Sequence, residues 1–184
     1  KRVDQLVWLG HSSYYFTLNG QSYLVDPVLS KYASPVAGSN KAFKHTYQYT
    51  VDDLPAIDFL IITHDHFDHL DYATILGIKS KVKKVICGLG VGEHFEYRGY
   101  DLAKITELDW YEVAHFDHSI NIAATPARHF SGRTLMKNSS LFCSYVLQSG
   151  DKTLFIGGDS GYDAHFKLIG DLYGPFDLAI LENG

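Results

Sequence analysis

A chain of 184 residues, 46% hydrophobic and 14% aromatic, is long and apolar enough for one globular domain with a sizeable core, which excludes a disordered protein. The formal net charge of −5 at pH 7, with no Lys/Arg run other than "KSKVKK" (Lys79 to Lys84), argues against nucleic-acid binding. No apolar run approaches the ~18 residues of a membrane-spanning helix, and no N-terminal signal pattern is present.

The two cysteines, Cys87 and Cys143, lie far apart in apolar stretches, which predicts two buried thiols rather than a disulfide. This pattern fits a reducing compartment, and we expect a cytoplasmic location. Peripheral contact with a membrane and oligomerisation are both compatible with the sequence. The chain begins with Lys1 rather than methionine, so removal of an upstream segment is compatible with it as well.

Three strands are predicted near the start of the chain. They are Gln5 to Leu9, Tyr14 to Leu18 and Ser22 to Asp26, and the turn Asn19-Gly20 joins the last two into a meander. The aromatic segment from Tyr32 to Tyr49 is too long for a plain connector, which predicts a lid or the wall of a pocket.

The middle of the chain alternates strands and helices, and the last part consists mostly of strands. The middle elements are a strand Asp58 to Ile62, a helix Asp68 to Ile78, a strand Lys84 to Gly88 and a short helix Gly90 to Gly99. The later strands are "AKITEL", "INIAATPA", "LFCSYVLQ" and "KTLFIGG", followed by a helix Asp163 to Ile169 and a strand Phe176 to Leu181. This order predicts two sheets flanked by helices, an α/β sandwich in a single domain over residues 1–184.

A cluster of histidines and aspartates follows the strand Asp58 to Ile62. In His64-x-His66-x-Asp68-His69 the first two imidazoles are two residues apart, so in extended backbone both project to one side and can share a metal ion. Asp68 and His69 follow where the chain turns, within several ångströms of the first pair, which suits a second ion. Surface histidines that cap a helix are the alternative, but active-site loops of α/β folds begin at strand ends.

Two further ligand candidates also follow apolar strands. His129 lies in "TPARHFSGR" and Asp159 lies in "FIGGDSGY", where the neighbouring glycines allow the backbone to approach a site closely. Alone, His129 would be read as a structural histidine and Asp159 as a turn residue. The histidine cluster reverses that interpretation.

Seven blocks of the sequence resemble, in matched order, the metallo-β-lactamase superfamily of metal-dependent hydrolases. The blocks are "WLGHSS", "LVDPV", "THDHFDHLD", "TELDW", "TPARHFSGRTLMKNSSLF", "GGDSGY" and "GPFDLAILENG". They look most like the branch that contains N-acyl-phosphatidylethanolamine-hydrolysing phospholipase D and its bacterial relatives. The resemblance covers the whole chain and implies an αββα sandwich with a dinuclear site between the sheets.

The resemblance also implies a ligand set. One metal ion would be bound by His64, His66 and His129. The other would be bound by Asp68 and His69, and Asp159 would bridge the two ions. We expect zinc, two ions per complete site, with manganese or iron as alternatives. The superfamily supplies one more histidine from a segment after a strand equivalent to Phe176 to Leu181, and the chain ends before it. We therefore expect a domain truncated at its C-terminus or an incomplete second site.

Three residues are weaker candidates, for a supporting or substrate-binding role. Asp26, in "VDP", would suit a hydrogen bond to a ligating histidine, although an Asx-Pro turn explains it equally well. His11 matches the "GHSS" turn of the family, where it would pack beside the site or contact substrate. Arg133 could hold a phosphate or carboxylate, or be merely solvated.

Hydrolysis is the first functional hypothesis. A metal-bridging hydroxide would attack a phosphorus or carbonyl centre, and Asp68 would act as the catalytic group that orients or deprotonates the water. The resemblance favours a phosphodiester, phospholipid-like substrate, and a lactone or other cyclic ester is the alternative among small-molecule or lipid-like esters. A di-iron oxidoreductase on the same scaffold is the alternative from another class, although we would expect glutamate in place of His66. The third hypothesis is a non-catalytic domain that has lost a metal.

Overall fold

The computed structural model describes residues 3–34, 39–42, 49–133 and 137–182. Within these residues, two stacked β-sheets carry helices on their outer faces. The αββα sandwich expected from the sequence is therefore confirmed. Of the predicted lid or pocket wall, residues 35–38 and 43–48 lie outside the described residues.

The first sheet continues the predicted meander with three parallel strands. In chain order and in spatial order its strands are β1 (Gln5–Gly10), β2 (Ser13–Leu18), β3 (Gln21–Val25), β4 (Ile57–Ile62), β5 (Val82–Gly88) and β6 (Ile105–Leu108). Strands β1 to β3 pair antiparallel, and β3 to β6 pair in parallel. Every residue of β4 is buried, because helices cover one face of this sheet and the second sheet covers the other.

The second sheet has the spatial order β11-β10-β9-β8-β7. Its strands are β7 (Val113–Phe116), β8 (Ile120–Pro126), β9 (Cys143–Ser149), β10 (Lys152–Ile156) and β11 (Leu178–Ile180). Strand β11 pairs in parallel with β10, and the other neighbours are antiparallel. The sequence analysis missed β7, which is four residues long and has no buried residue.

In the described part of the chain, three α-helices pack on the sheets. They are α1 (Tyr72–Ile78), α2 (Gly92–Glu96) and α3 (His165–Tyr173). The prediction that the first helix begins at Asp68 is wrong. Asp71 has an extended backbone, and its side chain accepts hydrogen bonds from the N–H groups of Ala73 and Thr74, so it caps α1. Residues 64–71 consequently form a loop with turns, and four of the six predicted ligands lie on this loop: His64, His66, Asp68 and His69.

Apolar side chains form three layers. The layer between the sheets includes Phe16, Tyr23, Phe59, Ile61, Ile86 and Tyr145. The layer between the first sheet and helices α1 and α2 includes Leu60, Ile62, Ile75, Ile78 and Phe95. The layer between the second sheet and α3 includes Val146, Phe155 and Ile169. Consecutive residues of β4 belong to different layers, Phe59 and Ile61 to the first and Leu60 and Ile62 to the second, as the two-residue period of a β-strand requires.

Four strands, β3, β4, β8 and β10, end at the same edge of the sandwich. Two hydrogen bonds join the sheets there: the Tyr145 hydroxyl donates to the Ile62 carbonyl over 3.0 Å, and the Cys143 N–H donates to the Thr63 carbonyl over 2.9 Å. The segments that follow the four strands are thereby brought together at one edge.

Both cysteines, Cys87 and Cys143, are buried free thiols, in agreement with the sequence. Among the described residues, no helix has both the length and the apolar character needed to cross a membrane.

Candidate metal centre

Histidine and aspartate side chains converge at this edge in three overlapping groups. In each group, the potential ligand atoms all lie within 4.8 Å of one another. The groups are His64, His66 and His129; His64, His69 and Asp159; and His11, Asp68 and His69. The structure thus brings together the six ligand candidates predicted from the sequence and adds His11 to them.

The first group joins two loops. His64 and His66 follow β4, and His129 follows β8. Nδ1 of His66 lies 2.9 Å from Nε2 of His64 and 3.2 Å from Nε2 of His129, and the ring centres of His64 and His129 are 4.7 Å apart. Two ligands of a tetrahedral ion with bonds of about 2.0–2.1 Å lie about 3.3 Å apart. The three imidazoles therefore have nearly the spacing that one ion requires.

Asp159 follows β10 and faces His69. Its Oδ2 atom lies 3.1 Å from Nε2 of His69 and 3.8 Å from Nε2 of His129, so Asp159 is close both to the first group and to His69, which the second and third groups share. The residue before Asp159 is Gly158, whose φ of +60° is unfavourable for residues with a side chain. A Cβ at this position would also lie only 2.8 Å from Cβ of Thr63. The glycine next to Asp159 is therefore required for the close approach of the two sheets.

The buried carboxylate of Asp26 orients His69. Nδ1 of His69 donates to Oδ2 of Asp26 over 2.9 Å, while the N–H and hydroxyl groups of Thr63 donate to the same carboxylate over 2.8 and 2.6 Å. Since Nδ1 is engaged in this way, Nε2 of His69 faces the ligand cluster. Asp26 thus occupies the supporting position for which the sequence made it a candidate.

His11 contacts the cluster from the turn between β1 and β2. Its Nε2 atom lies 3.3 Å from Oδ2 of Asp68, and the indole N–H of Trp8 donates to the His11 carbonyl over 2.7 Å. The φ of His11 is +46°, an uncommon value for a residue other than glycine. The hydrogen bond from His11 lowers the pKa of Asp68 to about 2, so Asp68 is a carboxylate at neutral pH.

The histidines differ in protonation. Burial and the neighbouring imidazoles of His69 and His66 hold the pKa of His64 well below its usual range. Burial also lowers the pKa of His66. Burial opposes the charged form of His69 too, but the carboxylates of Asp159 and Asp26 outweigh it and raise the pKa to about 10. In the metal-free protein, neutral imidazoles therefore lie beside a protonated one.

The donor set fits a pair of metal ions. Imidazole nitrogens and carboxylate oxygens are ligands for zinc, manganese and iron. A separate observation supports the fit: Nε2 of His69 is buried, and its nearest carboxylate oxygen is Oδ2 of Asp159 at 3.1 Å, with no regular hydrogen bond to any described residue. A cation between His69 and Asp159 would satisfy this atom.

Arg133 has partners other than the cluster. Its Nη1 donates to the Leu70 carbonyl over 2.7 Å, and its guanidinium carbon lies 4.0 Å from the ring centre of Phe67 and 3.8 Å from that of Tyr72. The sequence suggested that Arg133 holds an anion or is solvated. The structure instead shows its guanidinium between two aromatic rings.

The sequence analysis overlooked Asp65. The side chain of Asp65 is buried, and its Oδ1 accepts a hydrogen bond from the N–H of Gly132 over 2.7 Å. Alternation could have indicated this role, since a residue between His64 and His66 in extended backbone projects to the opposite side.

A cleft of about 580 Å³ opens beside His11 and Asp68. Apolar residues dominate its lining and two lysines add positive charge; these residues include Trp8, Leu29, Ala33, Tyr49, Lys31 and Lys41. Trp8 is 64% exposed, an unusual value for tryptophan, which is highly buried on average. The cleft therefore provides a mainly apolar surface next to the candidate ligands.

A family described as "Beta-lactamase superfamily domain" matches residues 21–184 of the chain. An uncharacterized protein of Mycobacterium tuberculosis is 38% identical over 180 residues, which cover 96% of this chain and 48% of that protein. The N-acyl-phosphatidylethanolamine-hydrolyzing phospholipase D 1 of Caenorhabditis elegans is 31% identical over 188 residues, which cover 96% of this chain and 52% of that protein. The chain spans about half the length of these relatives.

Two solved structures have similar folds. CmlA, a diiron β-hydroxylase from Streptomyces venezuelae, aligns with a TM-score of 0.73 and 25% identity over 96% of this chain and 34% of CmlA. Igni18, a metallo hydrolase from Ignicoccus hospitalis, aligns with a TM-score of 0.67 and 21% identity over 92% of this chain and 66% of Igni18. This similarity shows that the two proteins share the fold and nothing more. The matched family, the αββα sandwich and the similarity to the phospholipase D together show that this chain belongs to the metallo-β-lactamase superfamily and resembles its N-acyl-phosphatidylethanolamine-hydrolysing branch.

Proposed function

We propose that the chain is a metal-dependent hydrolase with two ions at this edge of the sandwich. The observation that carries the proposal is the overlap of the ligand groups: the first two share His64, and the last two share His69. One ion would be held by His64, His66 and His129, the other by Asp68 and His69, and Asp159 would lie between them. Zinc is the first candidate metal, with manganese and iron as alternatives.

The residues around the centre can support hydrolysis. Two bound ions would lower the pKa of water toward ~7 and stabilise negative charge on the attacked centre and on the leaving oxygen. Asp68 would orient or accept a proton, and the contact of its Oδ2 with Nε2 of His11 at 3.3 Å fixes the carboxylate beside the centre. Asp26 would keep the His69 ring fixed, with Nε2 toward the second ion.

For the substrate we propose a phosphodiester that carries an apolar chain. The phospholipase D relative supports this class, and so does the cleft, where the exposed Trp8 ring can contact hydrocarbon and Lys31 and Lys41 can attract a phosphate. The expected cytoplasmic location with peripheral membrane contact agrees with such a substrate. A lactone or other cyclic ester remains the alternative, since the same centre would act on a carbonyl.

A di-iron oxidoreductase is the second candidate function. The similarity to the diiron β-hydroxylase CmlA favours it, because the ligand types found at this centre also suit iron. Metal content separates the two functions. Stoichiometric iron together with oxygen consumption would favour the oxidoreductase, and zinc or manganese with ester hydrolysis would favour the hydrolase.

Hydrolysis should be detected with a panel of phosphodiesters with and without an acyl chain, lactones as competing substrates, and added zinc or manganese. We expect turnover of phosphodiesters, with KM lower for those with an acyl chain. Trp8→Ala should raise KM for the acyl-chain substrates several-fold and leave KM for the short ones unchanged. Tyr97→Ala is the matched control, because Tyr97 is an exposed aromatic residue outside the cleft. Turnover of lactones alone would contradict the proposed substrate.

Asp159→Ala should abolish hydrolysis and release metal, because a carboxylate between two cations contributes to both sites. Asp163 is the control: it accepts a hydrogen bond from the Ala164 N–H just before α3, so Asp163→Ala should cost at most about 1 kcal/mol of stability and no metal. Elemental analysis of both variants after dialysis measures the effect. Equal metal loss in the two would refute the role of Asp159.

Metal binding should release a proton from His69. The raised pKa of about 10 means that the metal-free imidazole holds a proton at pH 7 to 8, and a ligating nitrogen must lose it. Metal affinity should therefore rise with pH up to about 10, at most about tenfold per pH unit for this group. Calorimetry in buffers of different ionisation enthalpy measures the released protons.

Asp26→Asn is the matched control for that titration. Removal of one neighbouring carboxylate lowers the His69 pKa, so fewer protons should be released at pH 8. Proton release that is identical in the native chain and in Asp26→Asn would show that the proton does not come from His69.

A further inference from the structure

Asp65 lies between two candidate ligands but faces away from them. Its side chain is 2% exposed, Oδ1 accepts the Gly132 N–H over 2.7 Å, and Oδ2 lies 3.6 Å from Nε2 of His94. Gly132 has a φ of +129°, a backbone conformation that residues other than glycine rarely adopt. The glycine therefore allows the turn that directs this N–H toward Asp65.

Arg133 makes a second connection between the same two segments. Its Nη1 donates to the Leu70 carbonyl over 2.7 Å, so consecutive residues, Gly132 and Arg133, bind the two ends of the loop 65–70. The guanidinium is held between Phe67 and Tyr72 at 4.0 and 3.8 Å from their ring centres. We call these two hydrogen bonds, Asp65 to Gly132 and Leu70 to Arg133, the loop clamp.

Tyr72 and His94 support the loop clamp. The Tyr72 hydroxyl lies 2.9 Å from Nδ1 of His94, and the opposite ring nitrogen of His94 faces Asp65. Arg98 packs on the Tyr72 ring with its guanidinium carbon 3.0 Å from the ring centre. Helix α2, which carries His94, thus connects the loop clamp to the rest of the first sheet's helical layer.

The loop clamp lies beside the point where the first ligand group must converge. His129 is three residues before Gly132, and its Nε2 is 3.2 Å from Nδ1 of His66, which directly follows Asp65 in the chain. An ion that must draw two free loops together pays their ordering entropy on binding, whereas loops already held together do not. The loop clamp should therefore raise the affinity for the first ion.

We propose that Asp65 and Arg133 are positioning residues that hold His129 against His64 and His66 and thereby set the affinity of the first metal ion. This inference rests on the metal centre of the proposed function. Neither residue belongs to a ligand group, so each acts through His129. The clamp also binds the loop that carries Asp68 and His69, but Asp26 holds the His69 ring separately and Asp159 follows β10, so the second ion depends on the clamp less.

The test compares Asp65→Ala with Asp58→Ala. Asp58 is a fair control because it lies on β4 at the end remote from His64, is 7% exposed, and accepts a hydrogen bond from the Ser22 N–H over 2.9 Å. Zinc is titrated into each metal-free chain against a chromophoric chelator, and unfolding is followed in urea. Asp65→Ala should weaken the first ion about 10–100-fold, the range for partners behind a ligand, with a smaller effect on the second. Asp58→Ala should destabilise the fold with unchanged zinc affinities.

Two further variants test the proposal even if Asp65→Ala does not fold. Asp65→Asn keeps an oxygen that can accept the Gly132 N–H, so it should restore most of the first-ion affinity. Arg133→Met keeps an apolar side chain between Phe67 and Tyr72 without the bond to Leu70, and it should weaken the first ion. Native affinity in Asp65→Ala or Arg133→Met would overturn the clamp, as would a loss in Asp65→Asn equal to that in Asp65→Ala. Absence of zinc binding by the native chain would overturn the metal centre itself.

Discussion

The buried carboxylate of Asp26 is the interaction on which the arrangement of the centre depends. It directly follows β3, accepts two hydrogen bonds from Thr63, which directly follows β4, and accepts one from His69. A buried anion is unfavourable unless it is fully partnered, and these donors supply the partners. The first sheet can therefore fix a histidine ring at its edge before any metal binds.

The second sheet contributes the remaining candidate ligands through segments that follow β8 and β10. His129 and Asp159 reach the same point because Tyr145 and Cys143 hydrogen-bond to the end of β4 and fix one sheet against the other. Two sets of contacts hold candidate ligands in place: Asp26 holds His69, and the loop clamp holds His129. Both devices reduce the ordering that metal binding would otherwise require.

Local sequence patterns predicted much of the fold and most of the candidate metal ligands. Spacing placed His64 and His66 on one side of an extended segment, and apolar strands followed by His129 and Asp159 indicated a shared edge. The start of α1 could not be predicted from periodicity, since the Asp71 cap overrides the helical pattern that begins at Asp68. Strand β7 is too short and too exposed to give a signal. His11 and Asp68 are separated by 57 positions in the chain, and Asp65 and Gly132 by 67, so only the folded chain reveals these two contacts.

Anomalous diffraction from crystals of the zinc-loaded chain tests the central claim most directly. Two anomalous peaks should appear, one surrounded by His64, His66 and His129 and the other beside His69, with a carboxylate oxygen of Asp159 between them. The nitrogen-to-metal distances should be about 2.0–2.1 Å. No peak at His64, His66 and His129, or peaks away from these side chains, would contradict the metal centre and with it the proposed hydrolytic function.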